Sequence, residues 1–479
     1  MNVNRSKAKI VCTLGPSSHG IEMLTNLIHA GMDVVRLNFS HGTPDEHLET
    51  LKNVRAASNR TGVEVAVLQD LQGPKIRVGE LNVPFIELHP GDRFTITTDQ
   101  GFGGPTRVST TYAGLAADVR PGDALLLDDG KLSLSVLEIK GSEVICTVVV
   151  GGPLSAHKGI NLPGVAVSAP SLTDKDLRDL EFGIQQGVDF VALSFVRKAE
   201  DIRHLRKAII ERTGKTQSPS IIAKIEKPQA VNDIDSIIAE ADGIMVARGD
   251  LGVELPPEDV PILQKMIIKK CNHAGKPVIV ATQMLESMIH NPTPTRAEAS
   301  DVANAVVDGC DAVMLSGETS IGSYPLEAVR IMDKIIGKIE SEGVGRLRVV
   351  DRHDAAVEGR PDALGRAACV LAEQMRAAAI VVVTRSGQTA RIVSHYRPSP
   401  RVIAITDRPA ILRSLNLYWG VQGVVIDELA GDSDKALQDI QEKLIATGMV
   451  ERGEYVVLLA GQPFFAQGST NFIKVEKVL

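Results

Sequence analysis

Aromatic residues, cysteines and long apolar runs are all scarce in this chain, and each shortage excludes a class of protein. Aromatics make up 3% of its 479 residues, with a single tryptophan. Together with a formal charge of −7 and no basic run, this argues against a protein built to hold nucleic acid. The five cysteines, Cys12, Cys146, Cys271, Cys310 and Cys369, lie far apart and form no CxxC pair. Such a set predicts reduced thiols in a cytoplasmic protein, not a disulfide frame or a zinc site. No apolar stretch approaches the ~18 residues a membrane span needs, so no membrane partner is expected. Gly15-Pro16 follows only a few apolar residues, too soon for a secretory leader.

What is present is ordinary for a globular enzyme, with 44% hydrophobic and 23% charged residues. At ~150 residues per domain, the length predicts two or three domains, each able to bury a core. Short β-branched runs predict strands at Lys9 to Leu14, Asp33 to Asn38, Val65 to Asp70, Phe190 to Phe195, Ile221 to Glu226, Gly243 to Arg248, Val278 to Thr282 and Ala312 to Leu315. Amphipathic segments of helical period, such as Ile21 to Ala30 and Leu263 to Ala274, lie between them. Eight alternating units closing on themselves predict an α/β fold of the (β/α)8 TIM-barrel type over residues 1–71 and 168–343. Residues 72–167 interrupt it with many prolines, short alternating segments and turn signals such as Pro90-Gly91-Asp92. They predict a small all-β domain, a β-barrel lid, inserted after the third strand. A capping signal at Ser171 to Asp174 marks the helix that resumes the barrel. Beyond a linker at Val344 to Gly365, residues 344–479 predict a smaller open α/β domain with strands at Ile380 to Thr384, Val402 to Thr406, Val424 to Ile426 and Tyr455 to Leu459.

Polar residues crowd the predicted C-terminal ends of the barrel strands, where a barrel forms its active site. In Arg36-Leu37-Asn38-Phe39-Ser40, alternation puts Arg36, Asn38 and Ser40 on one face. Asp70, Lys224 with Glu226, Arg248 with Asp250, Thr282, and Ser316 with Glu318 occupy matching positions. Lys224 and Glu226 taken alone are better read as an internal ion pair. Six strands ending this way argue for a site, because a buried polar group costs free energy unless paired. Glu226 and Asp250, two carboxylates on neighbouring strands, suit Mg²⁺, which takes few protein ligands and fills its shell from substrate and water. Lys224 and Arg36 add fixed positive charge, so the expected substrate is small and highly anionic. Glycines in Arg248-Gly249-Asp250-Leu251-Gly252 fit either a turn or a close backbone approach to ligand.

Several long motifs carry a resemblance that spans essentially the whole chain. Val34 to Gly42, Asp70 to Arg77, Lys158 to Gly164, Ile222 to Glu226, Met245 to Gly252 and Ala281 to Leu285 are similar to those of the pyruvate kinase family. The resemblance implies phosphoryl transfer from phosphoenolpyruvate to ADP, giving pyruvate and ATP in glycolysis. It implies Glu226 and Asp250 as ligands of Mg²⁺ or Mn²⁺, and Lys224 and Arg36 on the transferring phosphoryl group. It further implies Gly249 and Thr282 against the substrate, with Thr282 on the face where the enolate is protonated, and Arg77 and Lys158 on the nucleotide phosphates. The inserted domain becomes a lid that keeps water out. A homotetramer is also implied.

One motif departs from the pattern. Much of the family completes its site with K⁺, at positions matching Asn38, Ser40, Asp70 and the carbonyl of Leu71. Here Leu71-Gln72 and Lys75 stand in that motif, which resembles the branch in which a lysine replaces the ion. A tethered ammonium supplies the charge of K⁺ without recruiting a free ion, so activity without K⁺ is expected. The alternative is that Lys75 is a solvated loop lysine.

In the C-terminal domain, Thr384-Arg385-Ser386-Gly387-Gln388-Thr389 follows a predicted strand and opens a helix. Hydroxyls and free N–H groups there suit either a phosphate site or a plain strand–helix turn. Several family members bind an allosteric sugar phosphate at this place. The later loop, Gly461 to Gly468, lacks the arginine that some fructose-bisphosphate-activated members use, so the expected effector is a phosphorylated metabolite, sugar phosphate or AMP. Two other functions are weighed against the kinase: a Mg²⁺-dependent aldolase or lyase acting on pyruvate enolate, and a catalytically silent phosphometabolite sensor.

Overall fold

In a computed structural model, the chain is described over residues 6–214, 218–343, 359–426, 433–461 and 470–479. Eight parallel strands, Lys9–Thr13, Met32–Asn38, Ala66–Asp70, Phe190–Leu193, Ser220–Ile225, Gly243–Ala247, Val278–Ala281 and Ala312–Leu315, close into a barrel, each beside its neighbours in sequence. They carry near-continuous apolar runs because side chains on both faces are covered, by the barrel interior and by the surrounding helices. The helices start where local chemistry dictates. Thr43 and Glu46 form a capping box at the head of Pro44–Thr61, and Thr173 and Asp176 do the same for Asp174–Gln185. Asp176 also accepts a hydrogen bond from the backbone N–H of Gly73 at 3.0 Å, tying the helix that resumes the barrel to the loop where the insert departs. Gly73 has a φ of +68°, and a Cβ there would meet the Phe195 ring at 2.9 Å, so both conformation and space require glycine.

Val11, Val34, Leu68, Phe190, Ile222, Met245, Ile279 and Met314 fill the barrel interior. The N-terminal end is closed by fully buried Leu417, which comes from the C-terminal unit. Below the mouth the interior is therefore apolar. The same inward rows turn polar two residues further on, from Val34 to Arg36, Leu68 to Asp70 and Ile222 to Lys224.

The insert, expected as a β-barrel lid, is a six-stranded sheet whose two edges are both bridged by the Arg77-Val78 segment, to Gly159 and to Thr110, beside a two-stranded ribbon, Gly152–Leu154 paired with Ile86–Leu88. It also holds a short helix, Leu115–Asp118. Phe94, Ile96, Leu125, Leu134, Val144 and Cys146 form a core of its own.

The C-terminal unit has the expected strands at Ala379–Val383, Arg401–Thr406, Val421–Val425 and Tyr455–Ala460, all parallel to their neighbours. A fifth, Phe472–Lys477, was not anticipated; it pairs antiparallel with Tyr455–Ala460 at the sheet edge. Residues 344–358 of the expected linker and 462–468 of the later loop lie outside the described residues. From Arg360 to Gly365 the linker expectation fails, because the helix Arg360–Gln374 begins there with Pro361 in its first turn. Gly365, read as a linker glycine, is a packing glycine: a Cβ there would stand 2.7 Å from Cγ2 of Ile392. The unit is bonded to the barrel through Arg413, which pairs with Asp189 at 2.9 Å and Glu64 at 3.1 Å.

Candidate active site

At the barrel mouth one acid is shared by two cations. Asp70 is 1% exposed; its Oδ2 lies 2.7 Å from Arg36 Nε, and its Oδ1 lies 3.3 Å from Lys224 Nζ. Burial alone would push the Asp70 carboxyl up, but Lys224 and Arg36 outweigh it and hold the group below its usual range. A second Arg36 nitrogen donates to Thr13 Oγ1 at 3.0 Å, so the guanidinium is held from two strands.

Lys224 is buried, and its ammonium has three acceptors: Ser194 Oγ at 2.7 Å, Glu226 Oε1 at 2.8 Å and Asp70 Oδ1. Burial favours the neutral amine, yet Asp70 and Glu226 keep Lys224 charged well above its usual range. Ser194 in turn donates to the carbonyl of Leu71 at 2.8 Å. Ser194 and Thr13 were missed from the sequence. Both are polar residues at the C-terminal ends of barrel strands, the signal that found the others.

Glu226 is 1% exposed, and its Oε2 accepts from the backbone N–H of Phe195 at 2.7 Å. Burial raises its carboxyl, and the nearby charge of Asp250 raises it further against the pull of Lys224. Asp250 accepts no hydrogen bond and forms no ion pair among the described residues. Two hard oxygen donors, one of them uncommitted and disfavouring the charge of the other, fit a divalent cation that keeps positions open for substrate and water. No group of three or more candidate metal-binding side chains occurs among the described residues, which excludes an all-protein cage there.

Arg248 and Asp250 do not alternate on a strand as expected. Arg248–Glu254 is a short helix directly after the sixth strand, so the two side chains diverge. Arg248 turns to Asp301 at 2.7 Å and to the carbonyl of Thr282 at 2.7 Å, a bracing role. Glu318 is likewise withdrawn from the mouth: its carboxylate accepts the N–H groups of Leu285 and Ser316. Thr282 has a φ of +70° and Gln283 one of +54°, a pair of left-handed residues at the end of the seventh strand. Thr282 Oγ1 accepts from Gly249 N–H at 2.7 Å and donates to the Ala281 carbonyl at 2.6 Å, so the two positions are locked together.

Arg77 and Lys158 meet at the junction with the insert. Gly159 bridges to Arg77, whose guanidinium donates to the His157 carbonyl at 2.9 Å, while Lys158 pairs with Asp128 at 2.8 Å. Lys75 lines the same cleft as Asp250, Phe195 and Lys227. It forms no ion pair with Asp70, nor with any other described acid. Asn38 accepts from Ser40 N–H at 3.1 Å, so this pair closes on itself.

The chain has two family matches: the pyruvate kinase barrel domain over residues 5–329 and the pyruvate kinase alpha/beta domain over residues 362–476. It belongs to the pyruvate kinase family. The chain is 46% identical to a pyruvate kinase of Geobacillus stearothermophilus, over 99% of its own length and 81% of the relative's. It is also 46% identical to one of Mycobacterium intracellulare, with 98% of each chain covered. A crystal structure of a pyruvate kinase from Cryptosporidium parvum superposes with a TM-score of 0.92 at 39% identity, covering 100% of this chain and 97% of the other. The chain is thus a phosphotransferase of glycolysis, with phosphoenolpyruvate, ADP, ATP and pyruvate as substrates and products and a divalent metal as cofactor. Neither the lyase nor the silent sensor finds support in these relatives.

At the head of the helix Gln388–His395, Gly387 has a φ of +79° and its N–H donates to Thr384 Oγ1 at 2.9 Å. Arg385 pairs with Asp407 at 3.0 Å, and Thr389 meets Thr470 at 2.6 Å. Thr384 thus serves the turn itself, as a plain strand–helix turn requires. No described helix is long and apolar enough to cross a membrane.

Proposed function

We propose that Glu226 and Asp250 hold Mg²⁺ (or Mn²⁺), that Lys224 and Arg36 receive the phosphoryl group, and that Arg77 and Lys158 grip the nucleotide phosphates. The observation that carries this reading is the uncommitted Asp250 carboxylate beside buried, lysine-paired Glu226. When bound, the divalent ion supplies Lewis-acid stabilisation of phosphoryl oxygens. Lys224 and Arg36, held rigid by Asp70, Ser194 and Thr13, aim fixed positive charge at a transition state whose charge is spread over the same oxygens. Gly249 and Thr282, locked to each other, form the wall that the enolate faces. The inserted domain excludes water from the mouth, which suppresses hydrolysis.

Lys75 replaces K⁺ in this reading, because it stands in the third-strand motif, lines the cleft that holds Asp250 and is neutralised by no described acid. Asn38, Ser40, Asp70 and the Leu71 carbonyl then need no ion. Residues Thr384 to Thr389 receive a phosphorylated effector, and the protein works as a cytoplasmic homotetramer. Pyruvate release from phosphoenolpyruvate, ADP and Mg²⁺ is measured side by side in K⁺ and in a bulky-cation salt. Equal, ADP-dependent rates are expected; a tenfold or greater stimulation by K⁺ would discard the lysine substitution and leave the kinase intact. An activity unchanged by sugar monophosphates, bisphosphates and AMP would make the C-terminal turn a structural one only.

A further inference from the structure

A buried ion pair outside the reacting groups touches the supports of both proposed metal carboxylates. Lys227 Nζ lies 2.6 Å from Glu254 Oε1, with side chains 14% and 1% exposed. Glu254 stands one turn after Asp250 on the short helix Arg248–Glu254, so anchoring it fixes the helix that carries Asp250. Lys227 directly follows Glu226, and its ammonium sits 5.6 Å from the centre of the Phe195 ring. Phe195 is the residue whose N–H holds Glu226 Oε2, and its φ of +55° is one that a bulky residue keeps only when its surroundings impose it. From the inserted domain, Asn161 Nδ2 donates to the same Glu254 oxygen at 3.0 Å.

We propose that Lys227 and Glu254 are positioning residues for the divalent metal, setting the geometry of Glu226 through Phe195 and of Asp250 through the short helix, with Asn161 joining the inserted domain to that pair. A carboxylate pair that must converge on one small cation needs both partners fixed to fractions of an ångström, and groups that orient metal ligands typically contribute about 10–100-fold in affinity. The proposal rests on Glu226 and Asp250 being the metal ligands.

The test is Mn²⁺ binding to the full chain without substrates, followed by loss of the free-Mn²⁺ electron paramagnetic resonance signal. Removing one member of a buried pair endangers the fold, whereas neutralising both is far better tolerated. The double variant Lys227→Met with Glu254→Gln, and the isosteric Glu254→Gln alone, are therefore compared with the native chain at matched circular dichroism. Both are expected to bind Mn²⁺ about 10-fold or more weakly. Native affinity in either folded variant overturns the proposal. Asn161→Ala, which removes only the bond from the insert, should stay near native affinity; a loss as large as that of the double variant would put the insert, not the pair, in control and overturn it too. Glu226→Gln separates the two levels: if it binds Mn²⁺ like the native chain, the metal assignment itself falls, whereas weakened binding there beside native binding in the pair variants refutes positioning alone.

Discussion

Ser194 Oγ lies 2.7 Å from Lys224 Nζ and donates its own hydrogen bond to the Leu71 carbonyl, so its lone pairs are turned toward the ammonium. A hydroxyl has one proton and two acceptor sites, and the bond to Leu71 uses the proton. Ser194 is thus the neutral partner among three acceptors, fixing the lysine without adding charge.

Replacing Ser194 by Ala should lower kcat about 10–100-fold while leaving KM for phosphoenolpyruvate nearly unchanged, the loss expected from one hydrogen bond to a charged group. Ser194→Thr, which restores the hydroxyl, should recover most of that loss. Steady-state kinetics decide it. A change confined to KM would place Ser194 in ground-state binding instead.

Lys224→Met keeps the length of the side chain and removes the charge. Phosphoryl transfer should fall by 100-fold or more, with circular dichroism native. An equally active variant would refute the role of Lys224.

Lys75→Glu reverses the charge at the position proposed to stand in for K⁺. The variant should become dependent on added K⁺, while the native chain works equally well in a bulky-cation salt. Native-like activity of the variant without K⁺ would show Lys75 to be a solvated lysine.

His41 is held below its ordinary value of about 6.5, by burial first and then by the positive charges of Arg77, Lys75 and Arg36. In the free protein it should be neutral at pH 7 and take up a proton only on acidification below that value. Nucleotide phosphates bound at Arg77 would offset the positive charge and move the titration upward, with proton uptake on binding. Imidazole resonances followed by nuclear magnetic resonance with and without ADP test both signs. A titration that ADP leaves in place counts against Arg77 as the phosphate grip.

All five cysteines are buried, and burial pushes the Cys146 thiol up to about 12. A thiol that is neither exposed nor ionised is a poor nucleophile. A thiol-specific reagent at pH 8 should label none of them in the native chain and all of them after denaturation. Rapid labelling of one native cysteine would reveal local opening there.

Sequence alone was sufficient for the barrel, because eight apolar runs separated by helical periods leave few other ways to bury both faces of a parallel sheet. Part of the mouth was legible in the same way. A polar residue two positions beyond an apolar one on the same strand face lies on the same inward row, as Val34 and Arg36 or Ile222 and Lys224 do. Alternation failed wherever the chain left the strand. Arg248 and Asp250 sit on a helix, Glu318 caps two backbone N–H groups, and neither outcome follows from spacing of two. The edge strand Phe472–Lys477 has no strong run of its own and exists because Tyr455–Ala460 offers unpaired backbone groups. Gly365 reads as the end of a linker and is a packing contact, since only a packed neighbour such as Ile392 tells the two apart. Side-chain partnership is the general case of this limit. That Lys224 has Ser194, Glu226 and Asp70 as its acceptors, or that Lys227 reaches Glu254, depends on which strands and helices lie side by side in space, and that is decided only when the barrel closes.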